Sequence, residues 1–114
     1  MRTWNLNEIA TPGGSRSPVV LETADHARAV MIGLDAGQAL GDHRVKERAW
    51  LVVVDGTVRI ECGGESIDAA PGTMATFAPD ETHSVATTDG PARLLLLLAP
   101  WPGDGHYRGE EKSL

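Results

Sequence analysis

Thirteen glycines and seven prolines cut this chain of 114 residues into short runs rich in Val, Ile, Leu and Thr, and that punctuation confines it to an all-β fold. Val19 to Glu22 reads as a first strand, entered through the loop Thr11-Pro-Gly-Gly-Ser-Arg-Ser-Pro18. Arg28 to Asp35 sets Ala29, Met31 and Gly33 against Val30, Ile32 and Leu34, the two-residue period of a longer strand. His43 to Asp55 reads as a strand pair or one bent strand. Asp55-Gly56 then reads as a tight hairpin turn into Thr57 to Cys62, because that dipeptide tolerates positive φ. Gly63-Gly64 turns into Glu65 to Ala69, and Pro71-Gly72 precedes Thr73 to Ala78. Pro79-Asp-Glu-Thr82 leads into His83 to Thr88, and Asp89-Gly90-Pro91 feeds Ala92 to Ala99. Strands this short and evenly spaced predict a sandwich or a closed barrel. No stretch predicts a helix, and there is no internal repeat.

A chain of this length supports a single domain with one core, without a disulfide or a structural metal as a staple. Its net charge of −6 argues against nucleic acid or an anionic membrane as a partner. The longest apolar run, Leu94 to Ala99, is far short of a membrane span. The first residues, Met1-Arg-Thr-Trp-Asn-Leu-Asn-Glu8, lack the apolar core of a secretion signal. The one cysteine, Cys62, has no internal partner. These features together predict a reduced, cytoplasmic protein.

Leu94 through Leu98 leave no polar face, so a strand there is covered on both sides. Leucine also favours helices, but the run is short and bracketed by Pro91 and Pro100, which makes a central strand the better reading. One leucine face then lines the interior, and the other packs on the N-terminal segment or on a second subunit.

The chemistry-bearing residues lie in two separated segments. Gly37 is followed after five residues by His43, on the alternating run His43-Arg-Val45-Lys-Glu47-Arg-Ala49, which ends at Gly56. The second segment carries Gly64, Gly72, Pro79 and His83. Together these resemble the cupin superfamily, whose pattern runs G-x(5)-H-x-H-x(3,4)-E-x(6)-G and then G-x(5)-P-x-G-x(2)-H-x(3)-N. The resemblance covers about residues 28 to 99, with residues 1–18 as an N-terminal arm and 100–114 as a C-terminal tail. It implies a cupin-like double-stranded β-helix, a jelly-roll barrel, paired as a homodimer around a pocket that takes a metal or a small-molecule ligand. Val45 stands at the second histidine slot, Ala49 at the glutamate slot and Thr87 at the asparagine slot, so two of the family's metal ligands are replaced.

Residues two apart share a face of a strand, so His43, Val45, Glu47 and Ala49 turn one way, and Arg44, Lys46 and Arg48 form a solvated edge. On an extended strand His43 and Glu47 are about 13 Å apart, too far to share an ion unless the strand bends. Three readings of His43 and His83 stay open. With Glu47 as substitute carboxylate they form a reduced site for divalent iron, manganese, nickel, copper or zinc. Without metal they line a ligand pocket with Val45 and Ala49, as hydrogen-bonding groups or a general base. Otherwise they are structural residues of an apolar barrel. The function that follows is binding of a metal ion, a small molecule or both. The alternative is a metal-dependent enzyme, of dioxygenase type, or an isomerase acting on a small polar metabolite.

Other residues have lesser readings. Trp50 either roofs the pocket or packs outward. Trp101, His106 and Tyr107 sit in a tail that either folds back over the barrel mouth or stays loose. His26 reads as a turn residue, and Met74 and Phe77 as core. Glu81 reads as a solvated loop acid, or as a carboxylate that orients His83.

Overall fold

The computed structural model describes residues 1–11, 18–24, 26–43 and 45–100; the side chains of Ala24 and of residues 41–43 lie outside that description. Among the described residues nine strands are laid down in chain order: β1 (Val19–Ala24), β2 (Ala27–Leu34), β3 (Ala39–His43), β4 (Arg48–Asp55), β5 (Val58–Cys62), β6 (Glu65–Ala69), β7 (Met74–Phe77), β8 (His83–Thr87) and β9 (Ala92–Ala99). They form a five-stranded sheet in the order β1-β2-β9-β4-β7 and a four-stranded sheet in the order β3-β8-β5-β6. Every strand pair is antiparallel. Two antiparallel sheets face to face, with the chain passing repeatedly between them, make the double-stranded β-helix that the motifs imply. Among the described residues the one helical element is a 3-10 turn at Leu6–Glu8, and no helix is long and apolar enough to cross a membrane.

The core lies between the sheets because inward positions alternate with outward ones. Val30, Ile32 and Leu34 of β2, Leu51 and Val53 of β4, and Leu94, Leu96 and Leu98 of β9 join Val58, Ile60 and Val85 in one apolar cluster. The leucine run is the central strand expected of it, flanked by β2 and β4. Its even-numbered residues are buried, whereas Leu97 is 39% exposed on the outer face.

The arm before β1 is fastened to that outer face. The Arg93 guanidinium donates to the carbonyls of Leu6 (3.2 Å), Asn7 (3.1 Å) and Ile9 (2.9 Å). Thr11 packs where Gly33 has no side chain, and a Cβ at Gly33 would collide with it.

Three expectations are corrected. Asp55-Gly56 does turn the chain, with φ +77° at Gly56, but it makes no hairpin: β4 and β5 belong to different sheets, and the turn hands the chain across the core. The two-residue hairpin is instead at Gly63-Gly64, where φ of +59° and +82° suits a turn between the paired strands β5 and β6. The run His43 to Asp55 divides, since β3 ends at His43, the chain bends at Lys46-Glu47, and β4 starts at Arg48. Met74 is 60% exposed and lies outside the core. It stands three residues from the buried Phe77, and an odd separation on a strand puts two side chains on opposite faces.

Candidate functional site

The two motif histidines come together through strand pairing. β3 runs antiparallel to β8, and His43 and His83 are direct Cα partners, after a register irregularity between Leu40 and His43. Thr87, at the asparagine slot, fastens the start of β3: its hydroxyl accepts from the Gly37 amide at 2.8 Å and donates to the Gln38 carbonyl at 3.2 Å. Gly37 adopts φ +82° in this turn, which a residue with a side chain rarely does.

The bend after β3 settles the direction of the acidic candidate. Val45, Glu47 and Ala49 are 4%, 1% and 1% exposed, whereas Lys46 and Arg48 are exposed. The inward set therefore keeps its alternation through the bend, and the extended spacing of His43 and Glu47 does not apply. The Asp80 amide donates to the Val45 carbonyl at 2.8 Å, tying the loop before β4 to the loop before β8. Arg44, Trp101, His106 and Tyr107 lie outside the described residues, and so does the side chain of His43.

His83 is 3% exposed. Its ring is stacked on Phe77, with centroids 3.8 Å apart and planes 3° from parallel. Phe77 is the Cα partner of Ala49, so this stack bridges the four-stranded sheet to the five-stranded one. His83 Nδ1 lies 3.1 Å from the Glu81 carbonyl. A carbonyl only accepts, so Nδ1 carries a proton in this contact. The main chain of Glu81, not its carboxylate, thus orients the ring.

The Glu81 carboxylate has a different task. It accepts from the Ala78 amide at 3.0 Å, closing the loop that delivers His83. That amide, then the Cys62 thiol, then the charges of His83 and Arg48 hold its pKa below the ordinary glutamate range. Cys62 is the Cα partner of His83 on β5. Burial pushes its thiol pKa up, and hydrogen bonding to Glu81 with the Glu81 and Glu65 charges adds to this, which favours the protonated thiol. A carboxylate whose pKa is depressed on folding stabilises the fold above its unfolded pKa, and that stability is lost as pH falls through the folded pKa. Wild type is therefore expected to lose stability on acidification through and below the usual carboxylate range more steeply than Glu81→Gln, in thermal melts recorded across that range.

Glu47 and His83 are the buried polar or charged side chains among the described residues. Their surroundings are apolar, with Val45, Ala49 and Phe77 all members of the core cluster. Val45 and Ala49 occupy two ligand slots and bring no donor atom, so the family's four-ligand metal set does not fit this chain. Among the described residues no three of His, Cys, Asp or Glu are grouped to hold a metal.

Trp50 turns outward, as one of its two readings expected. With Ala27, Ala29, Met74 and Leu97 it lines an apolar groove of about 460 Å³ on the outer face of the five-stranded sheet. His26 is an exposed turn residue with φ +65°, also as expected. The stacking of Phe77 on His83 and the placing of Cys62 opposite His83 were not anticipated. Both arise from pairing between distant strands, for which neither residue carries a local signal.

Comparison with known proteins agrees with this arrangement. The cupin domain family model matches residues 30–98. The chain belongs to the cupin family. Among solved structures, this cupin is similar to a protein of Thermus thermophilus, at 24% identity and TM-score 0.78, over 90% of this chain and 100% of that one. It is also similar to a conserved double-stranded β-helix protein of Klebsiella pneumoniae, at 18% identity and TM-score 0.76, over 90% and 92% of the two chains. A cupin superfamily protein of Desulfitobacterium hafniense superposes with TM-score 0.72 at 14% identity, over 82% and 84%. At these identities the likeness concerns the fold alone. No curated protein matches the sequence.

Proposed function

We propose that this cupin binds a small molecule inside its barrel, at a polar site formed by Glu47 and His83 with His43 beside them on β3 and with Val45 and Ala49 as apolar walls. The observation that carries this reading is the burial of Glu47 and His83, 1% and 3% exposed, in an otherwise apolar interior. Burying a carboxylate costs free energy that an aliphatic side chain would not incur, and a site with work to do accounts for keeping it. A second reading adds a divalent ion held by His43, Glu47 and His83. It is favoured by the hydrogen bond from His83 Nδ1 to a main-chain carbonyl, the arrangement that turns Nε2 of a metal-binding histidine toward its ion. Turnover of a small polar metabolite, of dioxygenase or isomerase type, extends either reading. It needs a substrate seated against His83, with Nε2 as the base.

Metal content of protein purified without tag or chelator, alongside His43→Ala and His83→Ala, separates these readings. Near-stoichiometric metal that both variants lose supports the metal site. No metal, even after reconstitution with iron, manganese, nickel, copper and zinc, removes it and leaves the small-molecule site to a fragment screen by NMR. If no fragment shifts the resonances of Glu47, His83 or their neighbours, the pocket reading falls too.

Glu47→Leu makes the sharper test. Leu keeps the bulk of the side chain but leaves the polar partner of the carboxylate unpaired, so the unfolding free energy is expected to fall by about 1–3 kcal/mol. Binding of the metal or fragment is expected to disappear. A larger loss of stability in urea denaturation would make Glu47 a structural anchor instead.

We further infer that the protein works in a reduced compartment as a homodimer, joined through the outer groove of Trp50, Met74 and Leu97. Met74 and Leu97 are 60% and 39% exposed there, an apolar surface that a second copy would cover.

A further inference from the structure

We infer that small uncharged or cationic molecules enter this barrel through the seam between its two sheets, and that Phe77 is the gate they pass to reach His83. The ligand class rests on the pocket reading above; the gate does not.

The seam is where the sheets fail to close. β6 and β7 follow one another in the chain, yet each is the outermost strand of a different sheet, β6 pairing with β5 alone and β7 with β4 alone. Between them lies a cavity of about 230 Å³, bordered by Cys62, Glu65, Ser66, Thr76, Phe77 and Glu81. This is smaller than the roughly 300–1,000 Å³ of pockets that take drug-sized ligands, and it suits small solutes. His83 does not border the cavity. Phe77 does, and its ring is also stacked on the imidazole at 3.8 Å. One aromatic ring thus separates a solvent-connected cavity from a histidine that is 3% exposed.

That ring sits on a short edge strand. β7 has four residues, lies at a sheet edge and is held on one side only. Elements of this kind open locally at low free energy. The cavity border also has a sign. Glu65 and Glu81 face it, and the Ala78 amide keeps Glu81 ionised. Two carboxylates at a narrow entrance repel anions and favour neutral or cationic solutes, while the hydroxyls of Ser66 and Thr76 offer hydrogen bonds in transit.

The gate is tested by acylating histidines with diethyl pyrocarbonate, a small uncharged reagent, and reading each site by mass spectrometry. Exposed His26 is the internal standard. In wild type, His83 is expected to react about a hundredfold more slowly than His26, and in Phe77→Ala at least about tenfold faster than in wild type. Phe77→Leu, which keeps more of the packing, is expected between the two and serves if Phe77→Ala does not fold. Adding Ser66→Trp, a bulky residue at an exposed position beside the cavity, is expected to slow His83 again. An unchanged rate at His83 in the folded Phe77 variants overturns the gate. So does a raised rate that Ser66→Trp leaves untouched, because solutes would then enter elsewhere. The charge preference is read at Cys62, where a cationic methanethiosulfonate is expected to outpace an anionic one by about tenfold, after correction for their rates with free cysteine. Parity or an anionic preference overturns that part. Neither readout needs a bound ligand, so a barrel that binds nothing still answers the question.

Discussion

Gly56→Ala is expected to cost about 3 kcal/mol of stability and to lower the melting temperature by about 15 °C. Two independent penalties meet at this residue. Its φ of +77° is a conformation that a residue with a side chain enters only at a cost. A Cβ there would also collide with the Pro91 carbonyl and lie 2.8 Å from the Ala92 Cα, both main-chain atoms that cannot swing aside. Gly64→Ala is the matched control. Gly64 has φ +82°, but nothing lies within 4 Å of the Cβ position, so it carries the backbone penalty alone, about 1 kcal/mol. Urea denaturation of both variants checks the difference. Equal losses would mean that the approach of β4's end to β9's start is softer than its geometry indicates. Gly56 is a motif position, and on this account it is kept for the crossing between sheets; the pocket does not need it.

That distinction shows what the sequence discloses and what it hides. Strands whose signal is local were readable: β9 because five leucines between two prolines admit little else, and the β5–β6 hairpin because Gly63-Gly64 selects its turn. Asp55-Gly56 carries the same kind of local signal, but whether the flanking strands pair is decided by the other seven strands, and here they join opposite sheets. β3 was hidden because Gly41-Asp42 has poor strand propensity; β8 and the Thr87 staple hold it instead. At the site, His83 was marked by motif spacing, and alternation put Glu47 on one face with Val45 and Ala49, both periodic properties; the direction of that face was open to a single bulge and is fixed only by the bend after β3. The Phe77 stack has no such period. The exposure of Met74 was available from parity, since three residues cannot bring Met74 and Phe77 to one face, but hydrophobicity alone pointed to the core.

Leu96→Ala is expected to destabilise the barrel by about 3 kcal/mol, because a buried leucine truncated in a packed core loses its transfer energy and leaves a cavity. Leu96 is 2% exposed, and its neighbours across the sheet are Val30 on β2 and Leu51 on β4, both also buried, so the walls of that cavity belong to the central three strands and collapse poorly. The neighbouring Leu97 points the other way at 39% exposed, and Leu97→Asp is expected to cost less than about 1 kcal/mol in the isolated subunit. On the homodimer proposed above, its effect falls on association, because a carboxylate in the middle of an apolar groove must lose its water for a second copy to seat there. Sedimentation is expected to find Leu96→Ala still dimeric at concentrations where it folds, and Leu97→Asp folded but monomeric. A Leu97→Asp protein that sediments as wild type does would remove the groove as the dimer surface. A Leu96→Ala protein as stable as wild type would contradict the close packing between the sheets on which the position of His83 depends.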